Sequence, residues 1–172
     1  MSLDDLVLAP SVDGGHAAEA RRREFLTCAL GEEVYGVDIL QVQEIREIDH
    51  VTRVPHVAPY VRGVINLRGA IVPVVDLGLM FGFAEPIALH GASAIVLDVE
   101  DRLVGLVVNS VSDVVGLTDE EIRPAPDLGD RAIAHAVTGI GTRRDAQGRD
   151  EGASILLLDV DHLMRRIRED RE

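Results

Sequence analysis

A single thiol, six imidazoles and a few isolated carboxylates are the groups in this sequence that could do chemistry. Cys28 stands in an apolar run where Leu26, Cys28 and Leu30 share one strand face, which makes it a core thiol rather than a nucleophile. The histidines lie at positions 16, 50, 56, 90, 135 and 162. His50 and His56, with Asp49 beside them, are the nearest pair. They flank a short extended stretch whose spacing does not converge them on a metal ion. Asp76 and Asp159 each follow an apolar strand and precede an apolar helical segment. Two aspartates could form an acid–base pair, but capping of the next helix accounts for both. Gly63, Gly69, Gly105 and Gly139 lack phosphate-loop spacing and suit tight turns and sheet bends. The motifs GxSxG, HExxH and CxxC do not occur, and with no lysine in the chain neither does a P-loop.

Two features are left unexplained by packing. In Arg62-Gly63-Val64-Ile65-Asn66-Leu67-Arg68-Gly69, Asn66 and Arg68 fall on the face opposite Ile65 and Leu67. Glu44 is expected on the outer side of a short helix whose inner face carries Ile39, Val42 and Ile45. A lone surface charge is usually only solvated, so these positions gain meaning only if something brings them together.

The elements that must position them follow from the hydrophobic pattern. Phe25 to Leu30 and Val34 to Val37 flank a Gly31 turn at hairpin spacing. Asp38, with Gln41 three residues on, resembles a capping box and opens the expected helix through Ile45. Residues 51–54 predict a strand ended by Pro55. Val61 to Leu67 and Ala70 to Val75 form a second hairpin around Arg68-Gly69. Asp76 caps Leu77 to Phe81, and Gly82 stops it. Ala94 to Val99 and Leu103 to Val108 form a third hairpin, followed by a strand over Val111 to Leu117 and a cap at Thr118. Val137 to Thr142 and Ile155 to Leu158 flank a charged loop, RRDAQGRDEG. Asp159 then caps a terminal helix with Leu163, Met164 and Ile167 on its apolar side.

The two halves of the chain resemble each other. Val61-Arg62-Gly63-Val64-Ile65 matches Val137-Thr138-Gly139-Ile140-Gly141. Residues 70–77 match 153–160, and Tyr35-Gly36-Val37 matches Val104-Gly105-Leu106. Two related halves with about five short strands each predict two small β-barrels that share one core.

Composition bounds the function. The chain has 172 residues, enough to hide about two thirds of its unfolded surface. It is 47% hydrophobic and 27% charged, an ordinary globular balance that excludes whole-chain disorder. Aromatics are sparse, so the core is expected to be Val, Ile, Leu and Ala. All 17 cations are Arg, against 30 acidic residues, a net charge of −13. Such a surface repels phosphate backbones and anionic lipid, which argues against nucleic-acid or membrane binding. One cysteine excludes an internal disulfide. No signal-peptide pattern opens the chain, and no apolar run approaches a membrane span, so a cytoplasmic protein is expected.

With these residues in place, a resemblance becomes specific. The stretches EFLTCALGEEVYGVDILQVQEIREIDHVTRVP (24–55), YVRGVINLRGAIVPVVDL (60–77), LVGLVVNSVSDVVGLTDEEIRPAP (103–126) and VTGIG (137–141) resemble the CheW-type chemotaxis adaptors. The resemblance implies a mainly β fold: two five-stranded SH3-like β-barrels sharing a hydrophobic core, with short helices and a C-terminal helix. It implies a flexible tail over 1–23 and a CheW-like domain over 24–166. Subdomain one would cover about 24–85, subdomain two about 92–160, and the C-terminal helix about 160–170. The acidic tail before Glu24 and the RRDAQGRDEG loop (143–152) depart from the family pattern. The length leaves no room for a kinase or receiver module, so a stand-alone adaptor is expected.

Members of this family are not enzymes. They couple methyl-accepting chemotaxis receptors to the histidine kinase CheA, whose regulatory domain is similar to CheW. By resemblance, the receptor-binding groove holds Val42, Glu44, Gly63, Val64, Asn66 and Arg68, with a Glu44–Arg68 ion pair shaping it. The kinase-contact residues are not assigned. No cofactor and no metal are expected, and pairwise binding is expected to be weak and reinforced by multiple contacts. Two other readings stand beside this one. One is a CheW-like adaptor of a non-flagellar pathway, for surface motility or gene regulation. The other is a small-ligand or metal-binding enzyme on the barrel pair, using Asp76, Asp159 or the His50/His56 region.

Overall fold

The computed structural model describes residues 21–127, 129 and 132–170. Most of the expected tail, including His16, lies outside these residues. Its last residues do not belong to a tail, because strand β1 (Arg22–Leu30) begins at Arg22. The chain then forms β2 (Glu33–Asp38), β3 (Val42–Glu47), β4 (Val61–Leu67), β5 (Ala70–Asp76) and a single helical turn α1 (Leu77–Met80). Next come β6 (Ser93–Val99), β7 (Arg102–Val108), β8 (Ser110–Thr118), β9 (Ile122–Pro124), α2 (Ala132–Ala136), β10 (Val137–Arg144), β11 (Asp150–Leu158) and α3 (Val160–Glu169).

The strands make two sheets. One has five strands in the order β3-β6-β7-β5-β4, and the other has six, β8-β1-β2-β11-β10-β9. The five-stranded sheet draws on residues 42–108 and so straddles the expected boundary at 82–92. The sheets are not consecutive halves of the chain. Each takes its first hairpin from one repeat and its remaining strands from the other. Hairpin β1–β2 pairs with β8 and β11, while hairpin β6–β7 pairs with β3 and β5. The two parallel pairs, β5–β7 and β2–β11, are where the repeats join, each linking a strand of one repeat to a strand of the other. The duplication survives in the register: Val74 opposes Gly105, and Leu157 opposes Gly36.

The sixth strand is a small difference between equivalent sheets. Strand β9 pairs with β10 at Gly139 to Gly141. The matching stretch at 51–54 is not a strand. Only Thr52 bridges to Val64, through two backbone hydrogen bonds of 2.8 and 2.9 Å. The charged loop is also shorter than expected, because β10 and β11 extend through Arg144 and from Asp150. Asp145 closes the remaining turn by accepting from the N–H groups of Gln147 and Arg149.

One core joins both sheets. Leu26, Cys28, Leu30, Tyr35 and Val37 of the six-stranded sheet pack in one cluster with Val72, Val74, Ile95, Leu97 and Leu106 of the other. Val160, Leu163, Met164 and Ile167 add the apolar face of α3. A smaller cluster of Phe25, Val115, Leu117, Ile155 and Leu157 lies on the other face of the six-stranded sheet. Strand alternation explains this division, since Phe25 and Leu26 point to opposite faces. Burying each such aliphatic side chain stabilises the fold by about 1.5–3 kcal/mol. Among the described residues no helix is long and apolar enough to cross a membrane.

Candidate functional site

The groups singled out for catalysis are occupied structurally. Cys28 is fully buried, and burial pushes its thiol up to about 12. Asp76 is fully buried and accepts from Leu79 N (3.0 Å), Ile87 N (2.8 Å) and Arg62 Nη1 (3.1 Å). Asp159 caps α3 by accepting from His162 N at 3.0 Å. Among the described residues no group of three or more His, Cys, Asp or Glu could hold a metal ion.

The region from 38 to 47 differs from expectation. Asp38 does cap a turn, accepting from Leu40 N at 3.0 Å, but the turn is a 3₁₀ segment of three residues, Ile39–Gln41. From Val42 the chain is strand β3, and Glu44 sits on that strand rather than on a helix. The three-residue spacing of Ile39, Val42 and Ile45 mimics a helix because β3 carries a bulge between Val42 and Glu44. The extra residue lets Val42 and Ile45 both face inward, a pattern that plain strand alternation forbids. The turn leaves Leu40 89% exposed.

Strands β3 and β4 are the two edges of the five-stranded sheet. Glu44 and Arg68 join those edges. Arg68 Nη2 lies 3.0 Å from Glu44 Oε1, and Nη1 donates to Oε2 at 3.4 Å. This two-point contact uses the planar fork that Arg has and Lys lacks. Glu44 is largely covered, its side chain 13% exposed, while that of Arg68 is 65% exposed. The turn that presents Arg68 has positive φ at both central residues, 50° at Arg68 and 91° at Gly69. That geometry matches the twist of a two-residue hairpin. Asn66 fixes it by accepting from Gly69 N at 2.9 Å.

The six residues expected to form the groove therefore divide by position. Glu44 and Arg68 meet at the closure between β3 and the β4–β5 turn, Asn66 holds that turn, and Val64 is half-buried on β4. Val42 is buried in the core and positions β3 instead of facing outward. Gly63 is buried beneath Thr52, and a Cβ there would lie 2.2 Å from the Thr52 carbonyl oxygen. Its φ of 144° also disfavours any side chain.

Sequence reasoning passed over two polar clusters behind this face. Arg62 Nη1 donates to Asp76 and to Ile87 O at 2.8 Å. The Tyr60 hydroxyl donates to Asp170, and Arg166 lies over the Tyr60 ring. The signal available was the mismatch between repeats, where Tyr60 and Arg62 align with Ala136 and Thr138.

Comparison with known proteins bears on this arrangement. Residues 24–168 match the family model of the CheW-like domain. The chain is 40% identical over 148 residues to the chemotaxis protein CheW of Klebsiella aerogenes, covering 86% of this chain and 85% of that protein. It is 38% identical over 144 residues to the CheW of Rhizobium meliloti, covering 81% and 85%. The crystal structure of the scaffolding protein TtCheW from Thermoanaerobacter tengcongensis superposes with a TM-score of 0.69 at 27% identity, covering 80% of this chain and 89% of that one.

Proposed function

This chain belongs to the CheW family of chemotaxis adaptors, and on that premise we propose that it couples methyl-accepting chemotaxis receptors to the histidine kinase CheA. It does so as a cytoplasmic scaffold, without catalysis or cofactor. The observation that carries the reading is the Glu44–Arg68 closure, a two-point ion pair at the edges of one sheet that faces solvent on its Arg68 side, with Asn66 and Val64 on the adjoining strand. A receptor tip is a helical hairpin, and docking one needs a shaped surface with a few orienting polar groups. Val42 and Gly63 support that surface from behind. The regulatory domain of CheA, itself similar to CheW, is the second partner. The net charge of −13 supports protein partners over nucleic acid or bare anionic membrane.

The test is a titration of the full chain against a receptor cytoplasmic fragment and against the kinase regulatory domain, with Arg68→Ala alongside. Micromolar binding of both partners by the wild type, with Arg68→Ala losing the receptor selectively, is the expected result. A folded wild type that binds neither would leave only the fold and shift the reading to another chemosensory pathway.

A further inference from the structure

We propose that Tyr60 and Arg62 are positioning residues for the docking hairpin β4–β5, through which α3 and the α1–β6 connection hold it in place. This rests on the docking role proposed above.

Tyr60 is the buried residue immediately before β4. Its hydroxyl donates to the Asp170 carboxylate at the end of α3. Burial and this hydrogen bond push the phenol well above its ordinary pKa, so it stays a proton donor. Arg166, one turn earlier on α3, lies 5.6 Å from the Tyr60 ring centroid and donates to Met80 O at 3.1 Å. Its Nε is 3.8 Å from Asp170. One turn of α3 thus grips the root of β4 and the end of α1 together.

Two residues further on, Arg62 makes the second clasp. It bonds the Asp76 carboxylate and the Ile87 carbonyl, while Ile87 N bonds the same carboxylate. At the outer half of the hairpin the side-chain tie is the more exposed Arg68–Glu44 pair to β3. Ala70, Ile71 and Pro73 are separated from Met164 and Ile167 of α3 by a groove of about 510 Å³. The ties at the root are the more buried ones, with Asp76 fully covered.

The second repeat supplies the internal control. Ala136 and Thr138 occupy the matching positions before and in β10. The backbone link is the same in both: Asp76 N donates to Tyr60 O, and Asp159 N to Ala136 O, each at 2.7 Å. The fold therefore needs neither a phenol nor a guanidinium there. Both are present only at the root of the hairpin that carries Asn66 and Arg68, and both tie it to elements outside its own sheet strands.

The experiment compares wild type, Tyr60→Phe and Arg62→Thr as full chains. Three quantities are measured: receptor-fragment affinity, kinase-domain affinity, and amide hydrogen exchange resolved to β4–β5 and to β10–β11. Losing one hydrogen bond to a charged group is expected to weaken receptor binding about tenfold. Kinase binding should hold within about twofold, since any pose it takes away from the clasp is left unaltered. Exchange should speed up in β4–β5 and not in β10–β11. Tyr60→Phe removes a single hydroxyl and leaves Arg166 and Asp170 paired, so it guards against a variant that fails to fold. Unchanged receptor affinity and unchanged hairpin exchange would overturn the proposal. So would equal losses for both partners with exchange rising in both hairpins, which marks a general stability role. If the wild type binds no receptor fragment, the docking reading fails, and hairpin exchange still decides whether these residues position β4–β5.

Discussion

Hairpins β4–β5 and β10–β11 are two copies of one design, and their differences separate what the fold requires from what docking requires. Both follow a residue whose carbonyl accepts from the aspartate at the end of the hairpin. In both that aspartate caps a helix. Both have a glycine that lets a neighbouring backbone approach, Gly63 under Thr52 and Gly139 under Arg123. The side chains then diverge. Asp76 is buried with Arg62 as counter-ion, whereas Asp159 caps α3 and has Thr138 at the position matching Arg62. The bulge on β3 carries Glu44, which reaches Arg68. The matching bulge opposite β1 carries Asp113, which accepts from the buried Thr27 hydroxyl at 2.8 Å instead. Shared features build the barrels, and the unshared ones gather at one edge.

The largest expected contrast lies between the two aspartates. Asp76→Ala leaves Arg62 without its buried partner and should cost about 3–5 kcal/mol. Asp159→Ala removes only a cap and should cost about 1 kcal/mol. Urea unfolding of both variants checks this, and equal losses would break the contrast. The two glycines should differ less. Gly63→Ala forces both a clash and an unfavourable φ, at about 3 kcal/mol. Gly139→Ala, where a Cβ would meet the Arg123 carbonyl oxygen at 2.8 Å, forces a backbone shift without the unfavourable φ, at about 1–3 kcal/mol.

A smaller effect is expected at the exposed closure. Arg68→Ala should change stability by no more than about 1 kcal/mol, because the pair is solvent-accessible on one side. Its effect belongs to binding, and thermal unfolding alongside the titration separates the two. The smallest concerns pH. Burial pushes the Glu121 carboxyl up, but the N–H groups of Thr118 and Arg144 outweigh that and hold it below the ordinary glutamate range. A carboxylate lowered in the folded state stabilises above its unfolded value and loses that contribution as pH falls through the folded one. Wild type should therefore lose slightly more stability than Glu121→Gln as pH falls through and below the ordinary glutamate range. A parallel fall in both proteins would contradict this.

Much of the hairpin architecture was legible because it is local. Alternating apolar residues and Gly turns mark β1–β2, β4–β5 and β6–β7, and the aspartate caps stand directly before α1 and α3. The exchange of hairpins between sheets was not legible, since β2–β11 and β5–β7 join residues far apart in the chain. The bulge on β3 imitated a helical period and moved Glu44 onto the wrong element. The Glu44–Arg68 contact itself was anticipated from charge and family resemblance. The Tyr60–Asp170 clasp was not, because nothing local to Tyr60 points to the last turn of α3.

The central claim is that receptor docking uses the β4–β5 copy and not its twin. Its most direct test introduces the same bulky charge at matched positions, the exposed Asn66→Arg on β4 and the half-buried Thr142→Arg on β10. Each variant is titrated with a receptor cytoplasmic fragment. The account predicts that Asn66→Arg abolishes measurable receptor binding while Thr142→Arg binds as the wild type does. Equal loss in both variants, or loss only in Thr142→Arg, would contradict it.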